Sequence, residues 1–203
     1  MARALDGRTR YATVVLEDIF QPHNASAAIR SCECFGIHDV HIIENRYEYR
    51  INPDVLMGSG KWVRLQRYNN PAADNTRSCL ECLKSEGYRI AATVPDRDAL
   101  PLSQAPLDKK IALMFGTEEE GLSEVALALA DLRLTIPMSG FTQSFNISVS
   151  VALCLYEVSA RLRTEKKDWP LTEKEKLDIG LDWLMNSVKN AEAICRRFFE
   201  QGS

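Results

Sequence analysis

Three short segments of this sequence combine polar and small residues in patterns that suit ligand chemistry. In residues 22–36 an asparagine precedes an arginine by six positions, in residues 116–122 two glycines frame three glutamates, and in residues 136–148 a glycine loop leads to a serine and an asparagine. Glycine loops leave backbone amides free, and carboxylate and amide side chains can bind the same polar ligand. The candidate functional side chains are Asn24, Arg30, Glu118, Ser144 and Asn146.

Each of these residues also has a plain structural explanation. Asn24 and Ser144 suit helix caps, Gly116 and Gly121 suit turns, and Arg30 suits a surface ion pair of little energetic value. Each explanation is adequate for its own segment. The three segments together, each at a predicted junction between a strand and a helix, favour a ligand site, because α/β proteins bind ligands at such junctions.

The elements that position these segments alternate along the chain. Short apolar, β-branched runs predict buried strands, and the longer periodic stretches between them predict helices. This alternation is typical of an α/β fold with a mainly parallel sheet and helices on both faces. We predict strands over residues 11–16, 40–43, 89–93, 111–115 and 132–136, and helices over residues 25–35, 72–86, 123–130 and 146–163.

The pattern changes after residue 170. Thr172 and Glu175 form a capping box, which predicts the start of a helix. Apolar residues then recur at spacings of four and three, which predicts one heptad helix. Packing on its own domain or across a dimer is favoured over a coiled coil with another partner, which stays an alternative. We expect a domain over residues 1–163 and a helical extension over residues 164–203. The heptad positions are Leu177, Leu181, Leu184, Val188, Ala191, Cys195 and Phe198.

The composition limits the class of protein. The 203 residues carry a net charge of −3, with 45% hydrophobic and 26% charged residues, which excludes a disordered or fibrous chain. No run approaches the roughly 18 apolar residues of a membrane span, and the first residues lack the apolar run of a secretory signal. Six cysteines without an export signal indicate reduced thiols. We expect a cytoplasmic protein with no membrane partner.

Several chemical classes lack their motifs. The sequence contains no GxxxxGK[ST] of a P-loop nucleotidase, no GxGxxG after a strand and no HExxH. Cys79 and Cys82 have the spacing of zinc ligands, but no second pair completes a tetrahedral set. We therefore predict no metal site and no zinc hydrolase activity.

The mild acidity does not exclude an RNA partner. Residues 46–67 contain five basic and two acidic side chains, together with Tyr47, Tyr49 and Trp62. Basic residues interleaved with aromatics suit a polyanion whose bases can stack. A solvated face, with arginines lying along apolar surface, explains the stretch equally well. Both interpretations stay open at this point.

In this order, the three segments resemble the motifs of the SpoU class of SPOUT RNA methyltransferases. These motifs read N-x-[GAS]-A-x-x-R-x-x-x-x-[FV]-G, G-x-E-x-x-G-[LI] and IPM-x-G-x-x-x-S-[LF]-N-[VI]-S-V-[AS]. They match residues 24–36, 116–122 and 136–150, and the resemblance spans about residues 10–163. Within the class the chain is most similar to the TrmH group, which methylates the 2′-hydroxyl of a guanosine in the tRNA D-loop. That similarity rests on residues 21–24, 58–62 and 143–146.

The resemblance implies a fold, a cofactor and an assembly. The fold is the SPOUT α/β knot, a deep C-terminal trefoil knot that binds S-adenosylmethionine in a bent form. The class works as a homodimer with each site built across the interface. The resemblance implies cofactor contacts, mostly through backbone groups, for Thr93, Gly116, Ile136, Met138 and Phe145. It implies catalytic roles for Asn24, Arg30, Glu118, Ser144 and Asn146.

Two other functions are compatible with the same motifs. Sister groups that carry all three motifs perform this chemistry on ribosomal RNA. A catalytically silent RNA-binding assembly factor on the same fold is the second alternative, and the intact polar set argues against it.

Arg30 has two possible roles. The resemblance implies that it is the general base, but a guanidinium with a pKa above about 12 is a poor base near neutral pH. Its planar fork suits a phosphate or the alignment of the hydroxyl. We expect Arg30 to reach back toward Asn24 from the same helix. We also expect the dimer interface to include residues 146–163 and the N-terminal part of the helix over residues 25–35, because the small residues 25–28 permit close helix approach.

Overall fold

The sheet has seven strands and is parallel throughout. A computed structural model describes residues 1–166 and 168–201, and side chains as far as Phe198. The strand order is β3-β2-β1-β6-β4-β7-β5, and every neighbouring pair is parallel. The strands are β1 (Ala12–Glu17), β2 (Asp39–Ile43), β3 (Arg64–Tyr68), β4 (Tyr88–Thr93), β5 (Leu100–Pro101), β6 (Lys110–Phe115) and β7 (Leu132–Thr135).

Helices cover both faces of this sheet. Along β1, Val14 and Leu16 point to one core and Val15 points to the other, as the two-residue period of a strand requires. Each fully buried aliphatic side chain of this kind contributes roughly 1.5–3 kcal/mol. The predicted α/β architecture is confirmed. The helices are α1 (Ala2–Asp6), α2 (Pro22–Phe35), α3 (Pro53–Leu56), α4 (Asn75–Ser85), α5 (Glu124–Leu129), α6 (Ile147–Glu165), α7 (Glu173–Ser187) and α8 (Ala191–Gln201).

The carboxyl ends of the strands form one edge of the sheet, where the functional segments lie. Residues 116–122 follow β6, residues 136–146 follow β7, and α2 follows β1. β1 is bonded to β2 on one side and to β6 on the other. The strand order therefore reverses at β1, and an α/β sheet opens a crevice at such a reversal.

The five predicted strands and the four predicted domain helices are present, with ends shifted by at most three residues. β3 and β5 were not predicted. β3 is an edge strand whose Arg64 and Arg67 pair with Asp39 and Glu44 of the neighbouring chain segment. Of its five residues, Leu65 and Tyr68 pack against the cores, so its sequence carries no continuous apolar run.

The prediction of one heptad helix is wrong. The capping box is present, with Thr172 N–H donating to Glu175 Oε2 at 2.8 Å and Glu175 N–H donating to Thr172 Oγ1 at 3.3 Å. The helix that it starts, α7, ends at Ser187, and Asn190 takes a left-handed conformation with φ of 60° before α8 begins. Asparagine tolerates this conformation better than most residues, so the chain turns there.

The C-terminal extension packs on its own domain through a face that the heptad pattern did not indicate. Ile179 and Trp183 are buried with Leu171 against Leu5 and Trp62. The Trp62 and Trp183 rings meet edge to face, with centroids 5.4 Å apart. The predicted heptad positions at 177, 181 and 184 are exposed. Residues 167, 202 and 203 of the predicted extension lie outside the described residues.

No helix within the described residues is long and apolar enough to cross a membrane.

Candidate active site

Side chains from the three segments form one hydrogen-bonded network at the carboxyl edge of the sheet. Glu118 Oε1 accepts hydrogen bonds from Asn24 Nδ2 at 2.9 Å and from Asn146 Nδ2 at 2.8 Å. Asn146 Nδ2 also donates to Asn24 Oδ1 at 3.1 Å. Each segment thus contributes one side chain to a closed triangle, which we call the Glu118 network. The structure brings together three of the five residues predicted to be catalytic.

Asn24 is free for this network because it does not cap its helix, and that expectation was wrong. α2 has Gln21 as its N-cap and Pro22 in its first turn. Proline is favoured there because its fixed φ suits a helix start and its missing N–H has no partner to lose. Asn24 therefore lies inside the first turn, 4% exposed, and its Nδ2 also donates to Gln21 Oε1 at 3.1 Å.

Asn146, not Ser144, caps α6. Its Oδ1 accepts from Ser148 N at 2.9 Å and from Ser148 Oγ at 2.7 Å, while its Nδ2 faces Glu118. Both ends of the amide are engaged, so the side chain has one orientation. A helix cap and a site residue are here the same side chain.

The carboxylate loop, residues 116–122, is a tight turn between β6 and α5. Thr117 N–H donates to Gly121 O at 2.9 Å, and Gly121 N–H donates back to Thr117 O at 3.1 Å. A Cβ on Gly116 would lie 2.1 Å from the Gly121 carbonyl oxygen, so no other residue fits without moving the loop. Gly121 has a φ of 73°, which glycine adopts without steric cost. This backbone aims Glu118 at the two asparagines.

A cavity of about 370 Å³ lies beside the network. Its wall includes Glu118 and Ser144. Residues 137–145, which form part of this wall, make no hydrogen bond to any other described residue. Their backbone groups are therefore available to a ligand. All five residues predicted to bind the cofactor line this cavity: Thr93, Gly116, Ile136, Met138 and Phe145.

Arg30 lies apart from the Glu118 network. It is exposed, and its Nη1 lies 3.2 Å from Met57 Sδ rather than near Asn24. Because α2 begins at Pro22, Arg30 lies more than two turns along the helix and does not reach back to the first turn.

The small residues near the start of α2 are buried in a helix–helix contact within the chain. Ala25, Ser26 and Ala28 are buried, and α2 packs closely on α6 of the same chain. These residues therefore do not form the exposed surface that the dimer prediction assigned to them. On α6, by contrast, Val149, Leu153 and Tyr156 are exposed.

The basic and aromatic stretch 46–67 is mostly structural. Glu44 accepts two hydrogen bonds from Arg67. Burial alone would raise the pKa of Glu44, but these bonds and the Tyr49 N–H outweigh it, so the pKa of Glu44 lies below its usual value. Trp62 packs on Trp183, and Arg46 pairs with Glu120 of the carboxylate loop. Arg67, Trp62 and Arg46 thus have partners within the chain, whereas Tyr47 remains exposed beside the site; the contact of this stretch with RNA stays a prediction.

A second cavity, of about 200 Å³, adjoins the first and shares residues 117–120 and Ile147 with it. Phe20 and Gln21, which follow β1, line this cavity. Sequence reasoning missed them, because they belong to no glycine loop. The available signal was an aromatic residue immediately after a buried strand, on the ligand-binding edge of a parallel sheet. Among residues 1–166 and 168–201 no group of three or more metal-binding side chains occurs.

Comparison with known proteins identifies relatives of this chain by sequence and by fold. A tRNA (guanosine(18)-2′-O)-methyltransferase of Borreliella burgdorferi is 44% identical over 192 residues, which cover 95% of this chain and 86% of that protein. The crystal structure of an A. aeolicus TrmH/SpoU tRNA modifying enzyme superposes with a TM-score of 0.77 at 28% identity, over 92% of this chain and 94% of that one.

The fold is shared more widely. The SpoU methyltransferase AviRb of Streptomyces viridochromogenes, solved in complex with the cofactor AdoMet, superposes with a TM-score of 0.64 at 21% identity, over 82% of this chain and 63% of that chain. The family model described as the SpoU rRNA Methylase family matches residues 11–156, a span that contains all of the Glu118 network. The chain therefore belongs to the SpoU rRNA Methylase family.

Proposed function

We propose that this protein transfers a methyl group from S-adenosylmethionine to the ribose 2′-hydroxyl of a guanosine in the D-loop of tRNA. The observation that carries the proposal is the Glu118 network on the wall of the large cavity, which joins the three segments into one polar surface. The name of the B. burgdorferi relative supports guanosine 18 of tRNA as the target.

The residues around the large cavity fit S-adenosylmethionine. The volume of about 370 Å³ lies within the range of small-molecule sites. The backbone groups of residues 137–145, which the described part of the chain leaves unpaired, would bind the polar ends of this cofactor. When bound, S-adenosylmethionine supplies a methyl group activated by a sulfonium. We assign its binding to Thr93, Gly116, Ile136, Met138 and Phe145.

The Glu118 network would position the ribose. Methyl transfer needs the 2′-oxygen in line with the bond that breaks, so orientation dominates the barrier. Asn24 and Asn146 are each held by more than one hydrogen bond, and this rigidity reduces the entropy lost when the nucleoside is aligned. The Ser144 hydroxyl lines the cavity and has no hydrogen-bond partner in the described residues, so it is free to contact the 2′-hydroxyl.

We place Arg30 in the site of a second copy. In a homodimer with sites built across the interface, the exposed guanidinium of one copy would bind the phosphate or hydroxyl at the other copy's Glu118 network. Val149, Leu153 and Tyr156 on α6 are 44%, 38% and 64% exposed, and burial of these side chains would drive the association. The trefoil knot and a cytoplasmic location are part of the same proposal.

The test is methylation of defined RNAs with labelled S-adenosylmethionine. We expect label in unmodified tRNA transcripts, mapped by mass spectrometry to the 2′-oxygen of guanosine 18, and none in a transcript with 2′-deoxyguanosine at that position. Glu118→Ala should lose the activity, whereas Glu81→Ala, an exposed change on α4, should keep it. Label in ribosomal RNA alone would refute the tRNA substrate. No calorimetric binding of S-adenosylmethionine at millimolar concentration would support the silent RNA-binding alternative.

A further inference from the structure

The second cavity has the size and position of a nucleobase site. It holds about 200 Å³ and shares its carboxylate-loop wall with the larger cavity. Asn24 of the Glu118 network lines it. A nucleoside whose ribose lay on this network would therefore have its base beside the second cavity while its 2′-oxygen faced the first.

Two aromatic rings form one side of this cavity. Phe20 and Tyr47 meet edge to face with centroids 5.0 Å apart and an interplanar angle of 62°. They are 68% and 40% exposed, so neither ring belongs to the core. Exposed aromatic rings beside a cavity suit stacking of a base that has left its own stack.

The loop that carries Tyr47 is fixed before any ligand binds. Asp18, 7% exposed, has a left-handed φ of 53° and follows β1 directly. Its Oδ1 accepts the N–H of Asn45 at 2.7 Å and the N–H of Arg46 at 2.9 Å. One buried carboxylate therefore ties the chain after β2 to the chain after β1. The ring pair is preorganised, which reduces the entropy lost on binding.

In the carboxylate loop, Glu119 is the glutamate with no partner on either carboxylate oxygen among the described residues. Glu118 is engaged by the two asparagines, and Glu120 is paired with Arg46. Glu119 lines the cavity and has no hydrogen-bond or ion-pair partner among the described residues. An ionised carboxylate accepts two parallel hydrogen bonds. Guanine presents two adjacent donors, N1–H and the 2-amino group, whereas adenine, cytosine and uracil each place an acceptor beside their donor.

We propose that the second cavity binds the guanine base of the target nucleoside, which stacks on Phe20, whose ring Tyr47 supports edge to face, and donates N1–H and the 2-amino group to the Glu119 carboxylate. This assignment rests on the proposed methylation of a guanosine. The aromatic rings and the Glu119 carboxylate should therefore have separable effects on methylation. Stacking favours every base, whereas the carboxylate favours guanine over adenine, whose N1 lone pair would face it.

The experiment compares single-turnover methylation of two tRNA transcripts that carry guanosine or adenosine at position 18. For the unmodified protein we expect a rate ratio of roughly 10–100 in favour of guanosine. Glu119→Gln should reduce this ratio by about ten-fold or more, because a neutral amide matches both bases. Phe20→Ala should slow both transcripts by roughly 5–100-fold, as the loss of a stacked base requires, with the ratio retained. Glu81→Gln on α4 is the matched control and should change neither rate.

Failure of this proposal and failure of the proposed function give different results. A guanosine-to-adenosine ratio that Glu119→Gln leaves unchanged would overturn the base site while the enzyme still methylates tRNA. If no RNA is methylated, calorimetry with guanosine 5′-monophosphate and adenosine 5′-monophosphate tests the cavity directly. Preference for the guanine nucleotide that disappears in Glu119→Gln supports the site, and equal affinities would overturn it.

Discussion

Exchange of Asn146 for aspartate tests whether the Glu118 network orders the site. The substitution keeps the shape of the side chain and the Oδ1 that caps α6 through Ser148. It removes the amide donor and places a second carboxylate at the position where Nδ2 now lies 2.8 Å from Glu118 Oε1. The change is therefore confined to the network and leaves the helix cap in place.

The magnitude follows from these two changes. A hydrogen bond to a charged group contributes about 1.5–3 kcal/mol. Two unit charges 2.8 Å apart repel by roughly 1.5 kcal/mol in water, and by more at a lower dielectric constant; because both side chains are partly exposed, the aqueous figure is the better guide. The sum of about 3–4.5 kcal/mol is the cost of keeping the ordered network, so a site that needs this order should lose roughly 10²–10³ in turnover. Because the two side chains are exposed, they can move apart, and the loss in the free energy of unfolding is smaller than this sum.

A second substitution provides the control. Asn146→Asp combined with Glu118→Gln reverses the donor and the acceptor, removes the repulsion and allows the pair to bond again. Single-turnover methylation should recover by at least about ten-fold relative to Asn146→Asp alone. If Asn146→Asp keeps normal turnover, or if the double variant is slower than either single variant, the network does not order the site.

Three further predictions follow from packing and charge. Gly116→Ala should abolish S-adenosylmethionine binding in calorimetry, because its Cβ would lie 2.1 Å from the carbonyl oxygen of Gly121; normal affinity would contradict the loop geometry. Burial lowers the pKa of His38 and of His41 from 6.5 to about 4. Between these two pH values the unfolded chain therefore binds more protons than the folded chain. The free energy of unfolding should be highest above pH 6.5 and should fall toward pH 4 by up to roughly 3 kcal/mol per histidine. In thermal unfolding, His41→Gln should make Tm fall less steeply between pH 6.5 and pH 4, and an unaltered dependence of Tm on pH would refute this prediction. Leu153→Glu should give a species of about 22.9 kDa in light scattering at micromolar concentration, whereas the unmodified protein should have twice that mass.

The sequence predicts best where one local pattern decides the structure. β1, β4 and β6 are runs of buried residues, and the capping box at Thr172 needs only four residues to form. Predictions failed where a single residue or a distant partner decides the local structure. Pro22 moved the start of α2 and so released Asn24 from the cap, and a left-handed Asn190 ended a helix whose apolar periodicity continued beyond it.

The residue types of the site could be predicted from the sequence, whereas the contacts between its side chains could not be predicted. Asn24, Glu118 and Asn146 are separated by up to 122 positions in the chain, and no periodicity relates them. Only the parallel sheet, which brings the ends of β1, β6 and β7 to one edge, places their side chains within hydrogen-bond distance. Arg30 belongs to the same motif as Asn24 but lies elsewhere, because six helical residues, about 1.7 turns, place its side chain on a different face of α2.

The carboxylate loop gives three successive glutamates three different surroundings. Glu118 holds the asparagines of the first and third segments, Glu120 pairs with Arg46 of the loop after β2, and Glu119 between them has no partner in the described residues. Because the tight turn at Gly116 and Gly121 fixes the backbone, none of the three can exchange places with its neighbour. The same turn forms the common wall of both cavities. Under the roles proposed above, a displacement of this loop would disturb methyl-donor binding, ribose alignment and base recognition together, whereas Glu119→Gln, which leaves the turn in place, should act mainly on the choice of base.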